Sequence, residues 1–456
     1  MVSCWSICCS ILISLFFQTS STYYLSSSGD DNKDGTSIKN AWKSISKINQ
    51  LQLKKGDRVL LEGGMIFEGN IRLDEKDADG ISIGNYGTGK PIIFAGKETG
   101  IFIHNRAGVT LFNLSLVGKG VGTNTGSGIH FYADKPSPDL KEIDIRDCDV
   151  KGFQLYGILV QSDKDSACGF RNVRITRCVT TENGEAGIGS LATYPSIPHY
   201  NFNVRDCVSH TNRGIQTKTD NHSGNGIVLS GVDSFTIDRC EAYENGADCG
   251  SVAGGPVGIW VWNCRNGVIQ NSTSHNNHSG ACPHDGGGFD IDGGSSNCVI
   301  RRCTSYSNEG AGYLVCEFGS PQPFKNNKVE NNSSRNDGLK NGYGAITISG
   351  AGAAYPVTST VVRKNKIIVE NKNVVNGKPS GIYINNSYCR DILIEANEFE
   401  IMRGTLVLRS DSLFTSSQIA FKNNNYITDG NKFPVDCRKC KDAKSTNWNE
   451  ILTARK

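Results

Sequence analysis

Glycine followed by alternating apolar residues recurs along most of the chain. Phrases such as residues 128–131 (GIHF) and 258–261 (GIWV) return about every 25 to 35 residues. Each phrase predicts a short strand whose alternate side chains face inward and outward. The inward positions predicted from these strands are Ile129, Ile158, Ile188, Ile227, Ile259, Phe289, Tyr313, Ile346, Ile382 and Leu406.

A second phrase lies between the first ones, and it is an apolar alternation that ends in a small polar residue. One repeat has too few apolar positions to bury a core alone, so successive repeats must stack strand over strand at about 4.8 Å. The pattern predicts an all-β fold, a single-stranded right-handed parallel β-helix of about ten coils that forms one domain over residues 22–456. The terminal polar residues share one coil position and predict an inward ladder of Cys148, Cys178, Cys207, Cys240, Ser272, Cys303, Asn332, Asn365 and Asn397.

Both ends of the repeat region carry candidate caps, which would cover the open strand edges of a solenoid. Trp42, Ile45, Ile48 and Leu51 are spaced three apart and predict a short capping helix over residues 41–53. Residues 431–456 are a candidate second cap. Its CxxC pair has no second pair at zinc spacing, which favours a disulfide or free thiols over a metal site.

Net charge and the amino-terminal sequence indicate the possible binding partners and cellular location of the protein. The formal net charge of +3 gives no strong field that would favour nucleic acid or a membrane surface. Residues 7–17 form a short apolar run followed by small polar residues, which predicts a signal peptide over residues 1–21 and a secreted protein. The run lacks a preceding basic residue, so an uncleaved anchor is the alternative. We expect a monomer.

Cysteines and sequons add to the extracellular interpretation. Three of the 17 cysteines lie in the predicted signal peptide, so 14 remain. Stacked thiols point in parallel directions and favour free cysteines in the ladder, whereas Cys249 and Cys282 lie on loops of adjacent coils and are better bridge candidates. Candidate glycosylation sites, some of them expected to be core-facing turn residues, are Asn113, Asn221, Asn271, Asn277, Asn331, Asn332 and Asn385.

The amino-terminal region resembles a known family. Residues 23–26 (YYLS), 29–36 (GDDNKDGT), 41–45 (AWKSI), 55–59 (KGDRV) and 85–93 (NYGTGKPII) are similar to the start of secreted β-helix proteins of the pectin-lyase-like superfamily. The resemblance implies the β-helix fold and secretion. It does not select a reaction, because the superfamily includes lyases, hydrolases and epimerases, and the polygalacturonase and best-known pectate lyase patterns are missing here.

By that resemblance, a substrate groove would follow the outer face of the glycine-led strands, flanked by the loops that enter them. The longest entering loops are consecutive, over residues 213–225, 246–257 and 278–287. Long loops without regular structure in a compact repeat are usually functional. The groove is therefore expected beside these three loops.

The outward positions of these strands carry candidate binding residues. Trp260 and Trp262 project from one strand, and Asp290 and Asp292 project from the next, with Glu317 just beyond the strand after that. Indole faces stack on sugar rings, so we predict substrate binding by Trp260, Trp262 and Glu317. The alternative for the tryptophans is burial under the 246–257 loop as a satellite core.

Asp290 and Asp292 are candidate catalytic residues and candidate calcium ligands. Carboxylate oxygens suit calcium, which in a lyase would neutralise a uronate carboxylate so that a base can remove the neighbouring proton. A β-helix lyase subgroup uses an acid-X-acid strand in this way, which residues 290–292 resemble. The alternatives are a solvated acidic pair beside a turn, or the general acid and base of a hydrolase.

The base of such a lyase is predicted among the basic side chains of the loops. Lys218 and His284 are the catalytic candidates, with His222 and Arg265 as further possibilities. His278, Cys282 and His284 could instead hold a transition metal.

Three functions follow from these residues. The first is a secreted, calcium-assisted lyase acting on an acidic, uronate-containing polysaccharide. The second is a non-catalytic wall or matrix protein that grips glycan through Trp260 and Trp262. The third is a glycoside hydrolase.

Overall fold

The computed structural model describes most of the chain. The described residues are 20–136, 140–163, 168–370, 372–375, 379–385, 388–402, 404–415, 417–428 and 434–437. The predicted signal peptide lies outside them except for its last two residues, and the predicted second cap lies outside them except for residues 434–437. Among the described residues no helix has the length and hydrophobicity to cross a membrane.

Three parallel sheets wind around one core, which confirms the predicted parallel β-helix. Sheet A has 14 strands, and sheets B and C have 13 each. Each strand pairs with the strand one coil earlier and one coil later. With 13 or 14 strands in each sheet, the stack is longer than the ten coils expected.

Sheet A consists of Thr22–Leu25, Arg58–Glu62, Ser82–Tyr86, Thr110–Phe112, Lys141–Arg146, Arg171–Thr176, His199–Arg205, Val232–Asp238, Val268–Gln270, Val299–Arg301, Lys328–Glu330, Val357–Arg363, Cys389–Glu395 and Ile419–Lys422. Sheet B consists of Ile66–Glu68, Ile92–Gly96, Ser115–Gly118, Asp149–Lys151, Val179–Thr181, Val208–His210, Glu241–Tyr243, Thr273–His275, Thr304–Tyr306, Ser333–Arg335, Lys366–Val369, Glu398–Ile401 and Asn425–Thr428. Sheet C consists of Ile71–Leu73, Ile101–His104, Ile129–Ala133, Tyr156–Ser162, Ala186–Ala192, Asn225–Ser230, Val257–Trp262, Gly287–Ile291, Tyr313–Cys316, Gly344–Ser349, Ser380–Ile384, Leu406–Ser410 and Val435–Cys437.

Sheet C contains the glycine-led strands, and its inward column is buried as predicted. Ile259 pairs with Phe289, and Phe289 pairs with Tyr313, whose ring stacks on that of Phe289 at 5.4 Å between centroids. The last predicted member was wrong by one alternation, since Ile382 pairs with Leu408 and not with Leu406.

Two ladders of polar side chains run inside the turns. The predicted cysteine ladder is confirmed: the Cys178 thiol, for example, donates to the carbonyl of Ile145 in the preceding coil, at 3.8 Å. Further along the stack the same position is taken by asparagines, whose side chains bond to one another. A second ladder, which the sequence analysis did not identify, consists of Asn183, Asn212, Asn245, Asn277, Asn308 and Asp337.

The amino-terminal cap is less helical than predicted. The only helical turns of this region are a 3₁₀ turn, Ile38–Asn40, and a short α-helix, Ser46–Asn49. Trp42 instead forms a parallel bridge with Leu25, and its backbone N–H donates to the carbonyl of Tyr24 at 2.9 Å. The apolar stripe still covers the core, since Trp42, Ile45 and Ile48 are buried.

Candidate active site

The predicted tryptophans and aspartates emerge side by side on the outer face of sheet C. Trp260 pairs in register with Asp290 on the adjacent strand. The backbone N–H of Asp292 donates to the carbonyl of Val261 at 2.8 Å, which continues this register. The two pairs therefore lie on neighbouring coils, as the alternation of the strands predicts.

The outer face at these strands is the floor of a cavity of about 510 Å³. Asp290, Asp292 and Trp262 line it, together with His284 and Asp285 from the loop over residues 278–287. Other walls come from the loops over residues 213–225 and 246–257, and from Tyr343 in a later coil. All three of the long loops thus contribute to one site.

Asp290 is the most enclosed carboxyl of the cavity. Its side chain is 3% exposed, and its Oδ1 has no hydrogen-bond partner among the described residues. Burial raises the pKa of Asp290 well above its usual range, and the charges of Asp292 and Asp285 raise it further. A buried carboxyl without a partner favours the protonated form, which can donate a hydrogen bond.

Asp292 lies beside it with more access to the cavity. The backbone N–H of Gly293 donates to its Oδ1 at 2.8 Å. Burial raises the pKa of Asp292 to about 8, although that hydrogen bond opposes the shift. Because the negative charge of Asp292 raises the pKa of Asp290, the pair favours a state that holds at least one proton over one in which both carboxyls are ionised.

Asp285 is a third acid in the cavity, and it ties loops together. Its Oδ2 accepts the backbone N–H of Gly255 at 3.0 Å, and its Oδ1 accepts the Tyr343 hydroxyl at 3.2 Å. Burial raises the pKa of Asp285 as well. These bonds connect the loops over residues 246–257 and 278–287 to a later coil, so Asp285 shapes the cavity wall.

The two tryptophans have different environments. Trp260 is 4% exposed and packs with Tyr156, Leu159 and Val228 in a small apolar cluster outside the main core. The alternative of a satellite core is therefore correct for Trp260. The residue also lines the cavity, so its contact with substrate stays a prediction.

Trp262 is half-buried and belongs to an aromatic group at the edge of the cavity. Its ring centroid lies 5.8 Å from that of Tyr194 and 6.5 Å from that of Phe318. Tyr194 and Phe318 are exposed, at 38% and 49%. Together these rings form an apolar, solvent-facing surface of the kind on which a sugar ring stacks.

Among the candidate bases, the structure brings His284 to the cavity but not Lys218 or Arg265. His284 is exposed and lines the cavity, so it stays a candidate. The ammonium of Lys218 contacts both carboxylate oxygens of Glu185 at 2.8 Å, and Lys218 does not line the cavity. Arg265 is paired with Asp233 at 3.0 Å, in a bridge that belongs to sheet A rather than to this face.

Glu317 was predicted to bind substrate, and the structure does not bring it to this cavity, so that role stays a prediction. The side chain is 2% exposed and does not line it. Its carboxylate accepts backbone N–H groups from Gly319, Ser320 and Gly294, at 2.6, 2.5 and 3.1 Å. Glu317 therefore holds two turns together, a role that needs a buried carboxylate rather than an open one.

The predicted bridge between Cys249 and Cys282 is also wrong, because both are buried free thiols. The transition-metal alternative lacks support, since His278 is held by Glu244 and Glu309 at 2.9 and 3.2 Å. No group of three His, Cys, Asp or Glu side chains among the described residues could hold a metal ion. Calcium at Asp290 and Asp292 stays a prediction.

Comparison with known proteins supports the fold and introduces glycan-active relatives. A family model described as the right-handed β-helix region matches residues 127–362. The lacto-N-biosidase of Bifidobacterium longum subsp. longum is 45% identical over 83 residues, which cover 16% of this chain. The match spans only 5% of the length of that curated relative.

Two solved structures share the fold at low identity. The GH136 lacto-N-biosidase from Eubacterium ramulus has a TM-score of 0.57 at 16% identity, covering 83% of this chain and 68% of that one. The A-module of the mannuronan C-5 epimerase AlgE6 from Azotobacter vinelandii has a TM-score of 0.57 at 14% identity, covering 82% of this chain and 91% of that one. The expected pectin-lyase-like fold is confirmed.

Proposed function

Because the chain belongs to the right-handed β-helix region family, whose scaffold here encloses a pair of carboxyls, we propose that it is a glycan-active enzyme and specifically a glycoside hydrolase. The relatives named above include a lacto-N-biosidase and a mannuronan epimerase, which supports a glycan substrate. Secretion through the predicted signal peptide is part of the same proposal.

The observation that carries this proposal is the adjacency of Asp290 and Asp292 in one enclosed cavity. A glycoside hydrolase needs one carboxyl that keeps a proton near neutral pH and a second that is ionised. Burial provides the carboxyl that keeps its proton, because it raises the pKa of both Asp290 and Asp292. Since the deeper Asp290 has the unpartnered oxygen, we assign it the role of general acid and assign Asp292 the role of base or nucleophile.

The reaction then proceeds with a balanced movement of protons. Asp290 donates its proton to the glycosidic oxygen as the bond from that oxygen to the anomeric carbon breaks. Asp292 must first lose its own proton, which its pKa of about 8 allows for a minority of molecules at neutral pH and for more of them as the pH rises. The ionised carboxylate then either takes a proton from the attacking water or bonds to the anomeric carbon, and in the second case water later releases the sugar. The aromatic surface of Tyr194, Trp262 and Phe318 holds the adjoining sugar.

Product analysis of aspartate variants tests the reaction class. The purified protein is incubated with a panel of polysaccharides and oligosaccharides, and reducing ends are measured. Asp290→Asn and Asp292→Asn are each expected to lower release of reducing ends by at least about a hundredfold. Asp163→Asn, at an exposed site outside the cavity, serves as the matched control and is expected to keep full activity. Unchanged activity in either cavity variant contradicts the proposal.

A second experiment separates the two roles. With an aryl glycoside whose leaving group needs no protonation, Asp290→Ala is expected to recover most of its activity. Added azide is expected to rescue Asp292→Ala with formation of a glycosyl azide, because a small anion can occupy the space of the lost carboxylate. If instead the aryl glycoside rescues Asp292→Ala and azide rescues Asp290→Ala, then Asp292 is the general acid and Asp290 is the base or nucleophile.

The lyase predicted from sequence remains the second candidate, and the position of His284 favours it. An exposed imidazole beside Asp285 in the cavity wall could remove the proton next to a uronate carboxylate. A lyase produces an unsaturated uronide, detected by its ultraviolet absorbance, and loses that product in His284→Ala. If calcium assists, chelation abolishes the product and added calcium restores it. Binding without any product would favour the non-catalytic alternative.

A further inference from the structure

His222 forms part of the cavity wall without belonging to the aspartate group. It precedes the strand Asn225–Ser230 and lines the cavity. Its ring meets the indole of Trp260 edge to face, with 5.1 Å between centroids. Burial lowers the pKa of His222 to about 4, so the imidazole is neutral at the pH at which most enzymes work.

The side chain of Asn225 fixes which nitrogen of His222 carries the proton. Asn225 Oδ1 lies 3.1 Å from the backbone nitrogen of Val257 and 3.0 Å from the indole nitrogen of Trp260. Both nitrogens can only donate, so the atom between them must be the amide oxygen. The amide nitrogen of Asn225 then lies 2.9 Å from His222 Nδ1, and it also donates to the carbonyl of Glu185.

An amide nitrogen can only donate, so His222 Nδ1 must accept. In a neutral imidazole the proton is then on Nε2. Among the described residues none accepts a hydrogen bond from Nε2. His222 therefore offers a fixed, uncharged N–H donor at the cavity, and its only lone pair is already used, which excludes it as the base that the sequence analysis considered.

The charges of the cavity restrict what this donor can bind. The described lining includes three aspartates and has neither lysine nor arginine. Lys218, whose charge lowers the His222 pKa, is held by Glu185 outside the lining. A ligand carboxylate in this cavity would meet no lysine or arginine to replace its hydration, and His284 is the one described lining side chain that a proton could make cationic.

We propose that the cavity is a binding subsite for an uncharged sugar residue, one oxygen of which accepts a hydrogen bond from the Nε2–H of His222. This inference rests on the proposed function, whose substrate class it specifies, and it differs from the acidic polysaccharide expected from sequence. Asn225 is the positioning residue, because it acts only through the tautomer of His222.

Nitrogen NMR of histidine-labelled protein tests the tautomer without any turnover. The His222 signals are identified by their loss in His222→Gln. They are expected to report a proton on Nε2 and no titration from about pH 5 to about pH 8, where an ordinary histidine would titrate. Asn225→Asp keeps the acceptors for Val257 and Trp260 but replaces the donor, so it is expected to move the proton to Nδ1. A proton on Nδ1 in the unaltered protein, or titration in this range, overturns the inference.

Calorimetry with the Asp290→Asn variant tests the ligand class. The probes are cello-, xylo- and chito-oligosaccharides against oligogalacturonate of the same length. At least one uncharged probe is expected to bind more tightly than oligogalacturonate. Adding His222→Phe should weaken its binding about tenfold, whereas His222→Gln, which keeps an N–H donor, should weaken it much less. Tighter binding of oligogalacturonate, equal losses in both His222 variants, or no binding by any probe would overturn it.

The two proposals fail separately. If uncharged sugars bind through His222 but no product forms, hydrolysis is wrong and the subsite stands. If oligogalacturonate binds best while hydrolysis proceeds through Asp290, the hydrolase stands and the subsite assignment is wrong.

Discussion

At the scale of single residues, the raised pKa of Asp292 makes the stability of the folded protein depend on pH. Burial raises the pKa of Asp292 to about 8, whereas in the unfolded chain it returns to about 4. Between these values the folded protein holds a proton that the unfolded chain has lost. The contribution of this group to stability is therefore fully present below about pH 4 and is lost as the pH rises through about 8.

Asp292→Asn should accordingly be inactive but more stable at the upper end of this range. An amide cannot ionise, so the melting temperature of the variant should depend less on pH between about 4 and about 8. The measurement is thermal unfolding of both proteins across this range, with Asp163→Asn as control. A variant that melts below the unaltered protein at pH 8 would mean that Asp292 stabilises the fold in its ionised form.

Trp262 should contribute to substrate affinity more than to the chemical step. It supplies an apolar face next to the carboxyls and contacts neither in a hydrogen bond of the described structure. Trp262→Ala is expected to raise KM roughly tenfold, about 1.4 kcal/mol, while kcat changes little. Ile427→Ala removes an exposed apolar side chain on sheet B and is the control. A loss confined to kcat would contradict a binding role.

The sequence could predict which strand residues lie together in the cavity, but it could not predict how exposed each of them is to solvent. The alternation of a strand places Trp260, Trp262, Asp290 and Asp292 on one face. Exposure depends on loops, whose conformation no alternation specifies, and so the burial of Trp260 could not be read from the pattern. Tyr194, Phe318 and Tyr343 were missed for the same reason, since each reaches the site from a loop or a distant coil.

At the scale of elements, the turns beside the strands Gly287–Ile291 and Tyr313–Cys316 depend on Glu317. Glu317 Oε1 accepts from Gly319 and Ser320, and Oε2 accepts from Gly294. Glu317→Gln keeps the first oxygen but sets an amide N–H against that of Gly294. We expect a loss of about 1–3 kcal/mol in the free energy of unfolding, measured by denaturant titration. Glu68→Gln, on an exposed strand position, should change it by less than about 0.5 kcal/mol.

The elements themselves were largely predictable, because the glycine phrase and a period of two determine both the strand and its register. The predictions were wrong at places where the sequence departs from the glycine phrase. Leu406 was chosen over Leu408 because the two leucines lie on the same face of one strand, and the alternation alone does not decide which of them is in register with Ile382. Residues 41–53 formed a helical stripe in sequence, but backbone pairing of Trp42 with Leu25 keeps the chain extended there.

At the scale of the whole molecule, the asparagine ladders link each coil to the next. Asn277 Oδ1 accepts both the backbone and the side-chain N–H of Asn245, and its own amide donates to Asn308 Oδ1 at 2.9 Å. It is 1% exposed, so its sequon is inaccessible in the folded protein. Removing the side chain would leave buried polar groups in adjacent coils without partners.

Asn277→Ala should therefore destabilise the protein by at least about 2 kcal/mol. Because each coil contacts only its neighbours, the loss should be concentrated near residue 277 and decline toward both ends, as hydrogen exchange of the strand amides can measure. Asn424→Ala is the matched control, since Asn424 accepts the same two bonds from Asn397 but at the partly exposed end of the other ladder. There water can replace the lost oxygen, and the expected cost is less than about 1 kcal/mol. Equal effects of the two substitutions, or uniform loss of protection along the stack, would mean that the coils unfold as one cooperative unit rather than through nearest-neighbour contacts.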